Sequence, residues 1–273
     1  MVLREILLAM SLLFWTVMPV KSADRAQILQ FMAVTGFDVA LESMRLSARD
    51  APTMLGFDAD DFGLSWSRLA DRIFEPEALK SDALEILDKA LTEDVLAHAT
   101  GFYGSDLGQK LVTAENESHG LEFEDREVEG ARLAQALAAR GSPQPQYFLD
   151  MAESIGYVGA TIKAYREVQV RFLMAASLAG LIDQRFDEVD LRAMLAQQDD
   201  EVRQAMTDNL IVANAFTYRD FTDREMEIYR DALAMPQMME VYELMNAIHF
   251  TIMADRFERM ALKMVNLTPT QEL

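Results

Sequence analysis

The sequence predicts an all-α protein, a helical array of two related halves. Three observations carry this. Only five prolines fall between residues 30 and 240, long stretches place apolar residues three or four apart, and no stretch sustains the alternation of a half-buried strand. In addition, parts of the first half can be laid over parts of the second without a gap.

The first residues stand apart from this pattern. Arg4 precedes an apolar stretch from Ile6 to Met18, followed by Pro19 and small residues, which is the layout of a secretory signal peptide. The stretch is shorter than the ~20 residues that span a bilayer, and Pro19 breaks a helix there. Cleavage between Ser22 and Ala23 leaves Val20 and Ser22 at the two small-residue positions. Residues 1–22 are therefore read as a signal peptide, and no other segment reads as a membrane span.

Composition narrows the partners. The 273 residues carry a net charge of −20, and removing Arg4, Glu5 and Lys21 with the leader makes it −21. Such a chain repels nucleic acid and anionic membrane surfaces. Its charges are interleaved with apolar residues, as in EFEDREVEGARLAQAL, which is the pattern of a solvated helix face. There is no cysteine, so disulfides and thiolate metal sites are excluded, and the core alone must hold an exported chain together.

Taken in order, Ile28, Phe31, Met32, Thr35 and Val39 form a first apolar stripe. A loop follows at DAPTMLGFDADD, residues 50–61. A second stripe runs through Leu84, Leu87, Leu91, Val95, Ala99 and Phe102, a shorter one through Leu133, Ala136 and Leu137, and a later one through Val202, Met206, Leu210 and Ala213. Between the last two, RGSPQPQ at 140–146 is polar and rich in glycine and proline, the best candidate boundary. Residues 23–140 are read as a first helical repeat, 141–265 as a second, degenerate one, and 266–273 as a flexible tail.

The repeat rests on two overlays. LTEDVLAHATGFYGSDLGQKLV (91–112) lies over FTDREMEIYRDALAMPQMMEVY (221–242), with Thr92 on Thr222, Leu96 on Met226 and Leu111 on Val241. LQFMAVTGFDVA (29–40) lies over LDMAESIGYVGA (149–160), with Gly36 on Gly156 and Phe37 on Tyr157. The offset grows from 120 to 130, as a duplication with about ten residues added in the second copy requires.

The same overlay interprets the glycine-rich stretch GFYGSDLGQKLV at 101–112. Thr92 and Thr222 each precede an acidic residue and an apolar-periodic run, the signature of a helix N-cap. Gly104 is expected to close that helix in a left-handed conformation. Ser105 then caps the next helix, with Asp106 at its positive end, and the overlay places Pro236, welcome in a first helical turn, on Asp106. Gly108 is read as the point where another helix comes close, and Phe102 and Tyr103 as corner-packing residues. The glycine spacing does not fit a phosphate-binding loop and no strand precedes it.

This stretch resembles the signature of the bacterial domain-of-unknown-function family 2059, "F-Y-x-S-P-x-G-Q/K-K" after an acidic helix start. Phe102, Tyr103, Ser105, Gly108, Gln109 and Lys110 match it, whereas Asp106 stands where the proline is usual. The second copy keeps Pro236 but carries Ala232, Leu233 and Met238 at the Phe, Tyr and Gly positions. The resemblance covers residues 65–118. It implies an exported bacterial helical protein, hence periplasmic, and brings no activity and no catalytic residues.

Candidate chemistry is sparse. GFDADDFGLSWSRL (56–69) starts like a calcium loop at Asp58, Asp60 and Gly63, but has Phe62 at the fifth position and Leu69 where the bidentate glutamate belongs. His119 lies near Glu115 and Glu122, a set that could bind a metal, yet Gly120 is expected to end the helix between them, and a solvated cluster is the better reading. His98 is placed in a helix, and His249, between Met245 and Met253, is read as packed. Neither H-E-x-x-H nor G-x-S-x-G occurs. No catalytic, cofactor-binding or metal residue is assigned. The leading reading is a non-enzymatic periplasmic protein that binds a protein or envelope component. A carrier or sensor of an apolar ligand held between the halves is the alternative, and an envelope hydrolase using paired carboxylates the third.

Overall fold

Two left-handed glycines shape the chain path in the computed structural model, which describes residues 24–48, 51–57, 59–121 and 123–267. Gly36 (φ 72°) separates α1 (Arg25–Thr35) from α2 (Phe37–Ser47), and Gly156 (φ 62°) separates α8 (Gln144–Ser154) from α9 (Tyr157–Ala179). A side chain with a Cβ is strained in that conformation, so both positions favour glycine. The stripe from Ile28 to Val39 is therefore two helices. Ile28, Phe31, Met32 and Thr35 are buried on α1, whereas Val39 on α2 is half-buried.

Between these pairs come 3-10 turns at Ala51–Leu55 and Ala59–Phe62, then α3 (Leu64–Ile73), α4 (Pro76–Ala90), α5 (Glu93–Tyr103), α6 (Asp106–His119) and α7 (Phe123–Ala139). After α9 follow α10 (Glu188–Ala196), α11 (Asp199–Thr217), α12 (Asp223–Leu233) and α13 (Pro236–Met264). Among the described residues there is no β-strand and no helix long and apolar enough to cross a membrane. The predicted leader and its cleavage point lie outside the described residues, as does the tail beyond Leu267.

Caps explain several boundaries. Thr92 Oγ1 accepts from the Val95 amide at 3.4 Å and opens α5. Thr222 Oγ1 accepts from the Glu225 amide at 3.2 Å, while the Glu225 carboxylate accepts from the Thr222 amide at 2.7 Å, a complete capping box. The stripe from Leu84 to Phe102 spans two helices because Leu91 is extended and buried, so α4 and α5 face the same core.

Several helix contacts recur in the same order along the chain. α1 lies against α2, α4 and α5, and α8 lies against α9, α11 and α12; α2 touches α4 and α6, and α9 touches α11 and α13. Buried positions keep register as well. Ile28, Phe31 and Met32 of α1 stand as Phe148, Met151 and Ala152 do on α8. Leu96, Ala99 and Tyr103 of α5 stand as Met226, Tyr229 and Leu233 do on α12. One contiguous core runs through both halves, and α13 lies along α9 while also reaching α2, α3, α4 and α5. Arg256 of α13, 5% exposed at its side chain, forms an ion pair with Asp82 of α4.

Candidate functional site

The motif stretch forms the α5–α6 corner. Gly104 is in the right-handed region (φ −75°, ψ −9°), not the left-handed one expected from the sequence. A Cβ there would come 2.7 Å from the Thr100 carbonyl, so crowding at the helix end, and not φ, favours glycine. Ser105 Oγ accepts from the Gly108 amide at 3.1 Å and donates to the Phe102 carbonyl at 2.6 Å. The helix that comes close to Gly108 is α5 itself. A Cβ on Gly108 would sit 2.3 Å from the Phe102 carbonyl oxygen and 2.5 Å from Tyr103 Cα.

The remaining motif residues tie the corner to its surroundings. Gln109 Nε2 donates to the Tyr103 carbonyl at 2.6 Å and to the Val34 carbonyl of α1 at 3.1 Å. Lys110 Nζ donates to the Asp220 carbonyl at 3.0 Å, pairs with Glu225 at 2.7 Å and stands 4.2 Å from the centre of the Phe221 ring. Desolvation works against the Glu225 charge, but hydrogen bonds from Lys110 and Thr222 hold its carboxyl down to about 2. Phe102 stacks on Tyr229 with ring centres 6.0 Å apart. Pro236 opens α13 at the matching corner, where Met235 makes no side-chain cap.

None of these motif residues lines the neighbouring cavity, but Tyr103 bonds to Tyr242 on its wall. The cavity, half-open and about 430 Å³, lies between helices of both halves. On it lies Glu115 of α6, whose Oε1 accepts from the hydroxyls of Tyr218 at 2.8 Å and Tyr229 at 2.9 Å. The Tyr229 hydroxyl is 2.9 Å from that of Tyr242, which also contacts the Tyr103 hydroxyl. Each phenol has one proton, and that of Tyr229 goes to Glu115. The Tyr103 hydroxyl is also 3.2 Å from that of Tyr229, so the three phenols form a closed cluster whose proton on Tyr229 is given to the carboxylate. Burial pushes the Glu115 carboxyl up, and the two tyrosine hydrogen bonds resist it. Burial likewise raises all four phenols, with the Glu115 charge adding to it.

Among the described residues Glu115 Oε2 has no hydrogen-bond partner, and the half-buried Glu115 lines the cavity. Among the described residues no cation pairs with this carboxylate.

The two histidines set aside in the sequence meet here. His119, at the end of α6, and His249, on α13, both line the cavity. Burial lowers His249 to about 4, with the neighbouring His119 adding to the effect. Burial and the Arg126 charge lower His119, although part of its surface is open. Both shifts favour the neutral imidazole. His249 is thus a cavity residue and not the packed core residue the flanking methionines suggest. Asn116 and Asn246 also line the cavity, and Asn246 Nδ2 is buried without an acceptor. The apolar part of the wall includes Phe37, Phe148, Met151, Ile155, Met245 and Phe250. A second hollow of about 260 Å³, lined also by Glu127, adjoins the first across Arg126, Tyr157, Leu210 and Ala213.

Other candidates stay apart. Among the described residues no group of three His, Asp or Glu side chains could hold a metal, and Glu122 and Asp58 fall outside them. In the calcium-like stretch, Phe62 and Leu69 are buried core residues and Gly63 precedes α3.

Residues 77–122, from α4 to just past the end of α6, match the model of a family described as an uncharacterized protein conserved in bacteria, DUF2059. The matched segment contains the corner motif and, of the cavity residues, Glu115, Asn116, Ser118 and His119. The chain matches no curated protein and no solved structure.

Proposed function

We propose that this chain is a non-enzymatic binding protein, built of two related halves, that holds a small ligand in the cavity between them. The observation that carries the reading is the half-open space of about 430 Å³ around Glu115, large enough for a small molecule and lined by apolar walls with a few convergent polar groups. A cavity shaped for a wholly apolar ligand would not contain a carboxylate, two imidazoles and two carboxamides. The occupant is therefore amphiphilic, which revises the apolar carrier inferred from the methionines and phenylalanines. A hydrolase with paired carboxylates is disfavoured because Glu115 is the one carboxylate among the described cavity residues.

Relatedness of the halves is supported by the matching order of helices, by the left-handed glycines at equivalent places, and by the shared register of buried residues. The second part has longer helices, 23 residues in α9 against 11 in α2 and 19 in α11 against 15 in α4, offset in part by the shorter connection from α9 to α10. The cavity lies where equivalent positions converge: at the offset of 130, Glu115, Asn116 and His119 of α6 correspond to Met245, Asn246 and His249 of α13, and all six line it. The motif at 102–110 is read as the structural corner that fixes α6, and so Glu115, against the second half.

We further propose that the leader directs the protein to the periplasm, with the mature chain starting at Ala23; sequencing the N-terminus of periplasmic material checks this. The binding reading is tested by native mass spectrometry of protein released from the periplasm without denaturation. A discrete small-molecule mass that is lost on unfolding is expected. Apo protein in every preparation, together with no uptake of added small molecules, would overturn it.

A further inference from the structure

We infer that the cavity selects an organic cation, an amine carried on an aromatic or aliphatic body, and seats its ammonium group against Glu115 Oε2. The inference rests on the binding reading above and adds the chemical class of the ligand.

The carboxylate supplies the first argument. Glu115 is half-buried on the cavity wall, its Oε1 is satisfied by Tyr218 and Tyr229, and among the described residues its Oε2 has no hydrogen-bond partner. A withdrawn carboxylate without a cation is costly, and a cation brought against it with a hydrogen bond recovers much of that cost. An ammonium offers both charge and donors, whereas a carboxylate or phosphate group would meet like charge at this spot.

The surroundings supply the second. Phe148, Tyr218 and Tyr229 stand in succession beside Glu115, with ring centres 5.9 Å apart between the first two and 6.0 Å between the last two. These rings are buried and back the wall beside the carboxylate, so the surroundings of Glu115 are apolar and suit the hydrocarbon body of an organic cation. The neutral imidazoles of His119 and His249 do not repel it and can accept its remaining hydrogens. The only formally cationic side chain on the wall, among the described residues, is Arg126, which is directed to Ser118 Oγ at 3.0 Å. A net charge of −20 also raises the local concentration of cations around the molecule.

The test uses the whole mature protein and three probes of similar size: 2-phenylethylamine, 2-phenylethanol and phenylacetate, titrated calorimetrically at low salt. The amine is expected to bind about tenfold or more tightly than the alcohol, and the carboxylate weakest. Glu115→Gln should abolish the amine's advantage while leaving the alcohol's affinity unchanged. Should that variant fail to fold, the wild-type panel decides by itself. Alcohol binding as tightly as amine would overturn the inference and leave the binding reading standing. Phenylacetate binding most tightly would also overturn it and point to Arg126 as the anchor. No binding of any probe at millimolar concentration would overturn both.

Discussion

The Tyr229 hydroxyl donates to Glu115 Oε1 at 2.9 Å, joining α12 of the second half to α6 of the first through a withdrawn hydrogen bond. Tyr229→Phe removes that donor and takes one hydroxyl out of the cluster with Tyr103 and Tyr242. A loss of about 1–3 kcal/mol in urea melts is expected. Tyr165→Phe, on a side chain that is 50% exposed, is the control and should change nothing measurable.

Two glycines of the corner stretch should respond to alanine with opposite signs. On Gly108 the new Cβ meets backbone atoms at 2.3 and 2.5 Å that cannot swing aside, so Gly108→Ala should cost about 1–3 kcal/mol. On Gly101, within α5, a Cβ meets nothing within 4 Å, and Gly101→Ala should stabilise by up to about 1 kcal/mol. Thermal melts of the two variants side by side check the pair.

If the motif is a corner, its side chains should rank by packing. Tyr103, 2% exposed, should cost about 3–5 kcal/mol on truncation to alanine. Ser105→Ala should cost about 1 kcal/mol through the lost cap. Lys110→Ala, at a pair whose lysine is 42% exposed, should cost no more than about 1 kcal/mol. Urea melts establish the ranking. Normal stability with loss of ligand binding in the Ser105 or Lys110 variant would make the motif part of the site.

Acid stability should carry the mark of the cavity histidine. His249 is lowered from 6.5 to about 4 by burial, so between those values the unfolded chain binds the extra proton. Stability therefore rises with pH from about 4 to 6.5, by at most about 3 kcal/mol from this group. Glu115 acts in the opposite direction: its raised carboxyl favours the folded state while protonated, and that advantage fades as pH rises above 4.5. His249→Gln should flatten the rise and Glu115→Gln should steepen it, as read from urea midpoints at pH 4.5, 5.5 and 6.5.

Helical class, threonine caps and corner positions were legible because each depends on local chemistry. Spacing gave the buried faces, and the threonines and Pro236 gave the helix starts. The break at Gly36 was hidden because consecutive helices face one core, so a single apolar stripe passes through both; at Leu91 the stripe also runs on, and only the Thr92 cap marked the break. The cavity was hidden for a different reason: Glu115 lies on α6, Tyr218 just past α11, Tyr229 on α12 and Tyr242 on α13, and no short window of sequence contains them together. One signal was within reach. The gapless overlay ends at residues 112 and 242; extended by seven positions it sets Asn116 on Asn246 and His119 on His249. Both pairs line the cavity, so identical polar residues beyond the end of the overlay were a pointer to it.

The most direct test of the cavity as the binding site is the methyl spectrum of methionine-labelled protein during titration with 2-phenylethylamine. Met151 and Met245 line the cavity, Met44 and Met260 lie in the closed core, and Met235 and Met239 are exposed near the start of α13. Saturable shifts at Met151 and Met245, with Met44 and Met260 unmoved, are predicted. Saturable shifts confined to Met235 and Met239, or calorimetric binding with no shift at Met151 and Met245, would contradict the account.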